Sequence, residues 1–511
     1  MTVEVNNPTD ELLPAEHKPA VGQVAARGLI WMLGQSVASK VVTTAAQIIL
    51  GWLLFEKDFG RISLAFTVYS FPALLQQAGL RDVLTQRQRR FRRLANPAFW
   101  LALCSGTLAA LIMIAAAPMA QKAYHKDIVG LVFLLAVSAP FEALATTPYA
   151  QLQVEMRFRA IAAIYTWNIV ANAALSILFA WFGLGAYSII LPRPILAAVQ
   201  AIALLSWKRP PIKLHPELRL WKQLIGPLSM LMAVSLSNTL VSQADYMSLG
   251  LFHSAEIVGV YFFAFGIALQ TLRLVAGSVS SVMLPALSRL QGNREHQVQV
   301  AMKTMRVMAC VSIPALLFQA AVARPVLNVL FQHKWDAAVP IVQILSIGLA
   351  LDAMNWVGGS LLQAQGNFRR YLTLSVTTSL TFLLVVLITA YYYAAVGVAT
   401  AVAINYLVLG PVFLVLAMAP SGIRASELLR LYLRPILIGA ATAGVATLAG
   451  HIVRGNSAMS DILRIAVITA VSALIYFPLL KILTPDVWDE MHGRIAQAFR
   501  RNTRGFPVAR P

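Results

Sequence analysis

The chain has 511 residues, 58% hydrophobic and only 12% charged, with a mean hydropathy of +0.69. A soluble protein carries about twice that charged fraction, so an ordinary globular domain is excluded and a polytopic all-α membrane protein is expected. The net charge of +20 lies almost wholly in short connections between apolar runs, which points to membrane topology and not to a nucleic-acid partner.

Residues 1–20, MTVEVNNPTDELLPAEHKPA, are polar and acidic, with neither a basic nor an apolar leader region, so no cleaved signal is expected. Fourteen apolar segments follow, near 23–55, 60–80, 97–120, 128–152, 160–182, 184–206, 222–250, 256–284, 302–330, 337–364, 370–392, 395–419, 428–453 and 460–483. Their connections alternate in charge. RDVLTQRQRRFRR (81–93), RFR (157–159), WKRPPIKLHPELRLWK (207–222), SRLQGNREH (288–296), FRR (368–370), RASELLRLYLR (424–434) and the tail with Arg494, Arg500, Arg501 and Arg504 form a basic set. FEKDFGR (55–61), AYHKD (123–127), LFHSAE (251–256) and YYYAAVG (391–397) are nearly neutral. The positive-inside rule makes the basic set cytoplasmic, and with it both termini. The basic stretch 81–93 also suits an anionic-lipid surface. Cys104 and Cys310 lie in apolar runs and are expected as buried thiols, neither a disulfide framework nor a metal site. The DFG at 58–60 reads as a turn, and the chain lacks any P-loop.

One passage occurs twice. HKDIVGLVFLLAVSAPFEAL, from His125, is followed by QLQVEMRFR; HKWDAAVPIVQILSIGLALDAM, from His333, is followed by LLQAQGNFR. Gln153 aligns with Gln363 and Phe158-Arg159 with Phe368-Arg369, and the same offset sets Glu142 on Asp352. LFEKDFG (54–60) and LFHSAEIVG (251–259) extend the likeness, as do FGLGAY (182–187) and AAVGVA (394–399). The expected unit is six helices repeated in parallel about an axis along the membrane normal, an architecture of transporters. The expected organisation is a tail (1–21), an N-lobe of helices 1–6 (22–206), a linker (207–221), a C-lobe of helices 7–12 (222–419), two further helices (420–483) and a second tail (484–511).

Ionisable groups inside apolar runs are expensive against lipid and are expected to face protein or a watery cavity. Glu142, Asp352 and Asp245 are the acids; Lys40, Arg193 and Arg273 are the bases. Pro192 and Pro194 flank Arg193 and should interrupt its helix. Glu142 and Asp352 suit two readings: pairing with a neighbouring Arg or Tyr to hold helices together, or taking up a proton or cation. Asn238 and Gln243 are candidates for interhelical bonds or ligand contacts.

The stretches LFEKDFGRISLAFTVYSFPALLQQAGLRDVLTQ (54–86), LGLFHSAEIVGVYFFAFGIALQTLRLVAGSVSSVMLPALSRLQGN (249–293) and KWDAAVPIVQILSIGLALDAMNWVGGSLLQAQG (334–366) resemble the polysaccharide-transport family. These are the O-antigen and exopolysaccharide flippases of the multidrug/oligosaccharidyl-lipid/polysaccharide exporter superfamily. The resemblance implies two six-helix lobes in a V, alternating access, and movement of a polyprenyl-diphosphate-linked oligosaccharide across the bacterial inner membrane. It implies no catalytic residue and no bound cofactor, and a lipid-tail groove involving the last two helices. A polysaccharide polymerase and co-polymerase are the partner proteins considered, beside membrane lipids. For such a substrate Lys40, Arg193 and Arg273 are candidate diphosphate contacts, with Asn238 and Gln243 beside them. Glu142, Asp352 and Asp245 are candidates for coupling to H+ or Na+. A multidrug/cation antiporter and a peptidoglycan lipid-precursor flippase are the alternatives; three membrane-depth cations weigh against the former. Short external connections weigh against a membrane polymerase or ligase.

Overall fold

The computed structural model describes residues 38–489 apart from 78, 209–212, 214, 215, 291 and 456. The N-terminal tail, the start of the first span, most of the linker and the tail arginines from Arg494 on therefore lie outside the described residues. The described chain is helical: α1 (Ala38–Leu53), α2 (Glu56–Gln77), α3 (Leu80–Gln86), α4 (Phe91–Tyr124), α5 (Val129–Val154) and α6 (Phe158–Trp181). Next come α7 (Tyr187–Ile190), α8 (Pro192–Lys208), α9 (Leu218–Phe252), α10 (Ala255–Arg289) and α11 (Arg294–Phe331). The last are α12 (Val339–Leu349), α13 (Ala353–Ala364), α14 (Phe368–Tyr392), α15 (Ala395–Met418), α16 (Ala425–Ile452) and α17 (Ala458–Leu483). Among the described residues ten helices are long and apolar enough to cross a membrane, or eleven if the bent pair α12–α13 is one span.

Four local features depart from expectation. Residues 81–93 are not an open loop, because α3 lies within them and α4 begins at Phe91. Leu80, Val83 and Leu84 turn inward at helical spacing and join Phe91, Leu94 and Leu224 in a small core. The sixth apolar segment is broken once, at Leu191, and Pro192 opens α8, where its missing N–H is not required. Pro194 lies in the same first turn and causes no second break. The tenth segment is not one helix: α12 and α13 meet at 41°. Asp352 stands in the break, its N–H donating to the Leu349 carbonyl three residues back at 3.1 Å. Finally, Cys310 is buried as expected, but Cys104 is exposed on α4. Every third or fourth residue of a long surface helix must face outward, and residue 104 falls on that side.

The neutral connections gather at one end of the bundle, where the two halves of the chain pack closely. At the crossing of α2 and α10, a Cβ on Gly60 would overlap the Ala255 carbonyl, and one on Gly259 the Glu56 carbonyl. Only glycine permits this backbone approach. Trp335, 1% exposed, stacks on Phe263 with ring centroids 3.8 Å apart and donates from Nε1 to the Gly51 carbonyl at 3.0 Å. Two lysines then cross reciprocally. Lys126, after α4, donates to the carbonyls of Gly250 (2.9 Å) and His253 (2.5 Å) at the C-terminus of α9. Lys334, after α11, donates to those of Trp52 (2.8 Å) and Leu54 (2.7 Å) at the C-terminus of α1. Each ammonium satisfies terminal carbonyls and meets the negative end of a helix dipole. Burial lowers the pKa of both, opposed by Glu256 at Lys126 and by Glu56 and Asp58 at Lys334.

Candidate functional site: two polar cavities within the helices

Two large cavities lie among the helices. The first, about 660 Å³, is enclosed by α2, α3, α5, α6 and α8. Its centre is Glu142 on α5. Arg193 Nε donates to Glu142 Oε1 at 2.9 Å, Tyr69 OH donates to Oε2 at 3.2 Å, and Gln76 Nε2 donates to Oε2 at 3.4 Å. Arg193 also donates from its terminal nitrogen to Tyr69 OH, and its guanidinium carbon sits 4.2 Å from the Tyr69 ring centroid. The break before Pro192 positions Arg193 in the first turn of α8, facing α5. Charge, hydrogen bonds and ring contact thus all meet one carboxylate, as a charge removed from water requires. Asn168 donates to Gln200 Oε1 at 3.0 Å across the same cavity.

The second cavity, about 860 Å³, is enclosed by α9, α10, α12, α13, α14 and α15. Asn238, Gln243, Arg273 and Asp352, four of the eight residues singled out from sequence, line it together. Asp352 accepts from Asn355 Nδ2 (3.1 Å) and Trp356 Nε1 (3.0 Å), both neutral donors. Gln243 Oε1 accepts from Thr67 Oγ1 at 3.0 Å, which ties α9 to α2. The Arg273 side chain has no carboxylate within ion-pair distance among the described residues. Lys40 reaches α10 from α1 and donates to the Arg273 carbonyl at 3.1 Å and the Leu274 carbonyl at 3.5 Å. Lys40 thus ties α1 to the backbone of α10 at Arg273.

Asp245 stands apart from both cavities. It is 1% exposed and accepts from Tyr261 OH and from the Tyr246 N–H, each at 2.9 Å. Arg193, a candidate for an open cation, is instead committed to Glu142. Sequence reasoning passed over Tyr69, Gln76, Arg81 and Tyr149. Tyr69 carries a signal, a phenol inside the apolar run SLAFTVYSF, as does Tyr149 in its own apolar segment, and Arg81 is visible as part of the basic stretch 81–93. Among the described residues no group of three or more His, Cys, Asp or Glu side chains is arranged to hold a metal.

A body of long apolar helices enclosing two polar cavities is that of a membrane transporter. Solved structures share the fold. One is "Lipid II flippase MurJ, inward closed conformation", with TM-score 0.72 and 11% identity, covering 90% of this chain and 99% of that one. Another is an inward-facing multidrug resistance MATE family transporter of the MOP superfamily, with TM-score 0.62 and 15% identity, covering 77% and 96%. The chain belongs to the polysaccharide biosynthesis protein family, whose model matches residues 49–340. Similar curated proteins are the succinoglycan biosynthesis transport protein ExoT of Rhizobium meliloti (24% identical over 63% of this chain and 67% of that one) and the teichuronic acid biosynthesis protein TuaB of Bacillus subtilis (23%, 68% and 73%). The lipopolysaccharide biosynthesis protein WzxC of Escherichia coli is 21% identical over 68% and 72%.

Proposed function

We propose that this chain is a flippase that carries a polyprenyl-diphosphate-linked oligosaccharide across the cytoplasmic membrane for surface or exopolysaccharide assembly. The observation that carries the reading is Arg273, which lines the larger cavity without a carboxylate partner among the described residues and stands on one seam with Lys40. A diphosphate requires cations that the protein has not already neutralised. The family model and the similar curated proteins belong to polysaccharide biosynthesis, so the antiporter alternative is not favoured.

The reading includes finer points. α1, α2 and α9 together with the eleven apolar spans give fourteen, both termini cytoplasmic, with the basic end inside. The two His-Lys pairs, each capping a helix of the other half, support two parallel six-helix units. Alternating access then means opening the neutral end while the basic end closes. Asp352 and Asp245, held by neutral donors, are the groups through which an ion gradient would bias that equilibrium, by binding one state more tightly than the other. The test is deletion in the host. Lipid-linked oligosaccharide should accumulate on the cytoplasmic face and surface polysaccharide should be lost, both restored by wild type and not by Arg273→Ala. Unchanged polysaccharide with new sensitivity to cationic drugs refutes the flippase. Flipping in vesicles that ignores both proton and sodium gradients removes the coupling alone.

A further inference from the structure

We propose that Arg81 makes the first cavity an oxyanion subsite for the head group of the transported lipid, an inference that rests on the flippase reading. Among the described residues three charged side chains line this cavity: Arg81, Glu142 and Arg193. Arg193 and Glu142 neutralise one another at 2.9 Å. The net charge of the cavity is therefore that of Arg81. Its guanidinium carbon stands 4.1 Å from the centroid of the Tyr149 ring, and no carboxylate reaches it among the described residues.

Stacking on a ring face fixes the guanidinium plane while leaving its N–H edges free. An edge so held binds a planar or tetrahedral oxyanion through two parallel hydrogen bonds. Residues of α6 supply what a sugar needs. Asn172 lines the cavity and its amide has no protein hydrogen-bond partner among the described residues, and Tyr165, 52% exposed, presents a ring. About 660 Å³ lies within the range of roughly 300–1,000 Å³ typical of small-molecule sites. The short α3, whose Leu80, Val83 and Leu84 anchor it in its own core, holds Arg81 at the basic end of this cavity. With that end cytoplasmic, the subsite meets the substrate on the side where it is loaded. The oxyanion has two possible sources in such a substrate, the diphosphate or an acidic sugar.

The experiment is isothermal titration of the full chain in nanodiscs with inorganic pyrophosphate, glucuronate and glucose, using wild type, Arg81→Lys and Arg81→Gln. Loss of a charged bidentate contact weakens binding by about tenfold or more. The expected result is that Gln abolishes or weakens one anion by that factor, Lys falls between, and glucose is unchanged. Pyrophosphate as the affected anion identifies the diphosphate, and glucuronate identifies an acidic sugar. Wild type that binds neither anion overturns the subsite, and so does Arg81→Gln that binds both as wild type does. Equal melting temperatures of the variants separate the effect from misfolding. Complementation separates the two levels. An Arg81→Gln allele that restores polysaccharide fully in the deletion strain sinks the subsite alone. A deletion strain that keeps its polysaccharide sinks the flippase reading and leaves the titration standing.

Discussion

Replacing Lys126 and Lys334 with methionine should open the neutral end of the bundle. Each ammonium makes two hydrogen bonds, at 2.5–2.9 Å, to carbonyls ending a helix of the other half. A hydrogen bond to a charged group contributes about 1.5–3 kcal/mol and a cation at a helix C-terminus about 0.3–1 kcal/mol. Burial lowers the pKa of both lysines, so desolvation outweighs the part of this gain that depends on charge and leaves chiefly the hydrogen bonds themselves. A net of about 1–2 kcal/mol per lysine is therefore reasonable, and about 2–4 kcal/mol for both if the sites are independent. That shifts the ratio of open to closed forms by about thirtyfold to a thousandfold. Methionine keeps most of the aliphatic stem, so packing is largely preserved. Spin labels at Phe182 and Tyr392, exposed on connections of the two halves at this end, would report the separation by double electron–electron resonance. The expected outcome is a long-distance population that grows with each substitution and most in the double variant. Distance distributions identical to wild type would refute the reasoning, since the lysines would then only finish two helices.

Alkaline pH should act in the opposite sense. The packed form holds its lysines at a pKa below the ordinary 10.5, so in the range between the two an exposing form binds more protons. Raising pH through that range therefore favours the packed form, and the neutral amine still donates. A long-distance population that rises with pH would contradict this. Arg193→Ala should lower stability by about 1.5–3 kcal/mol, because it removes a charged hydrogen bond to Glu142, whose side chain is 23% exposed. Arg193→Gln with Glu142→Gln should recover much of the loss. Thermal unfolding in detergent reads both, and equal melting points for single and double variants would disprove the pairing. Trp335→Ala removes a fully buried indole from its stack on Phe263 and should cost about 3–5 kcal/mol. A cost below 1 kcal/mol would show that the indole, with its stack on Phe263 and its bond to the Gly51 carbonyl of the other half, contributes little to the packing.

How much of this was legible beforehand depends on the distance over which residues had to be related. Apolar runs and their polar breaks are local, so the described helices overlap the segments read from composition, though α4 and α11 start six and eight residues earlier. The need of Glu142 for a partner was also local, because an isolated carboxylate in apolar surroundings is costly. Which residue answers it was not local: Arg193 is 51 positions away and Tyr69 is 73. α3 was hidden because arginines, five of the six beyond its end, dominate the composition of 81–93, while the apolar set Leu80, Val83 and Leu84 is only three residues long. The reciprocal lysines were visible as His125-Lys126 and His333-Lys334. That these reach across to the opposite half is a property of the packed bundle, to which no pattern along the chain refers.

The two cavities treat charge differently, and this bears on how one chain could both hold and release an anionic substrate. In the first cavity the carboxylate is matched by Arg193, and only Arg81, at the basic end, is left to attract an oxyanion. Deeper in, Lys40 spends its hydrogen bonds on the carbonyls of Arg273 and Leu274, which orient it but do not cancel its charge. Arg273 beside it is likewise without a carboxylate among the described residues. The flippase reading sets the anion against both residues, an arrangement that lasts only while α1 and α10 remain together. Because α1 belongs to one half of the chain and α10 to the other, any motion that parts the halves also divides the site. Affinity for the anion and the separation of the halves are then two readings of one equilibrium. Under the flippase reading, opening would itself weaken the hold on the diphosphate.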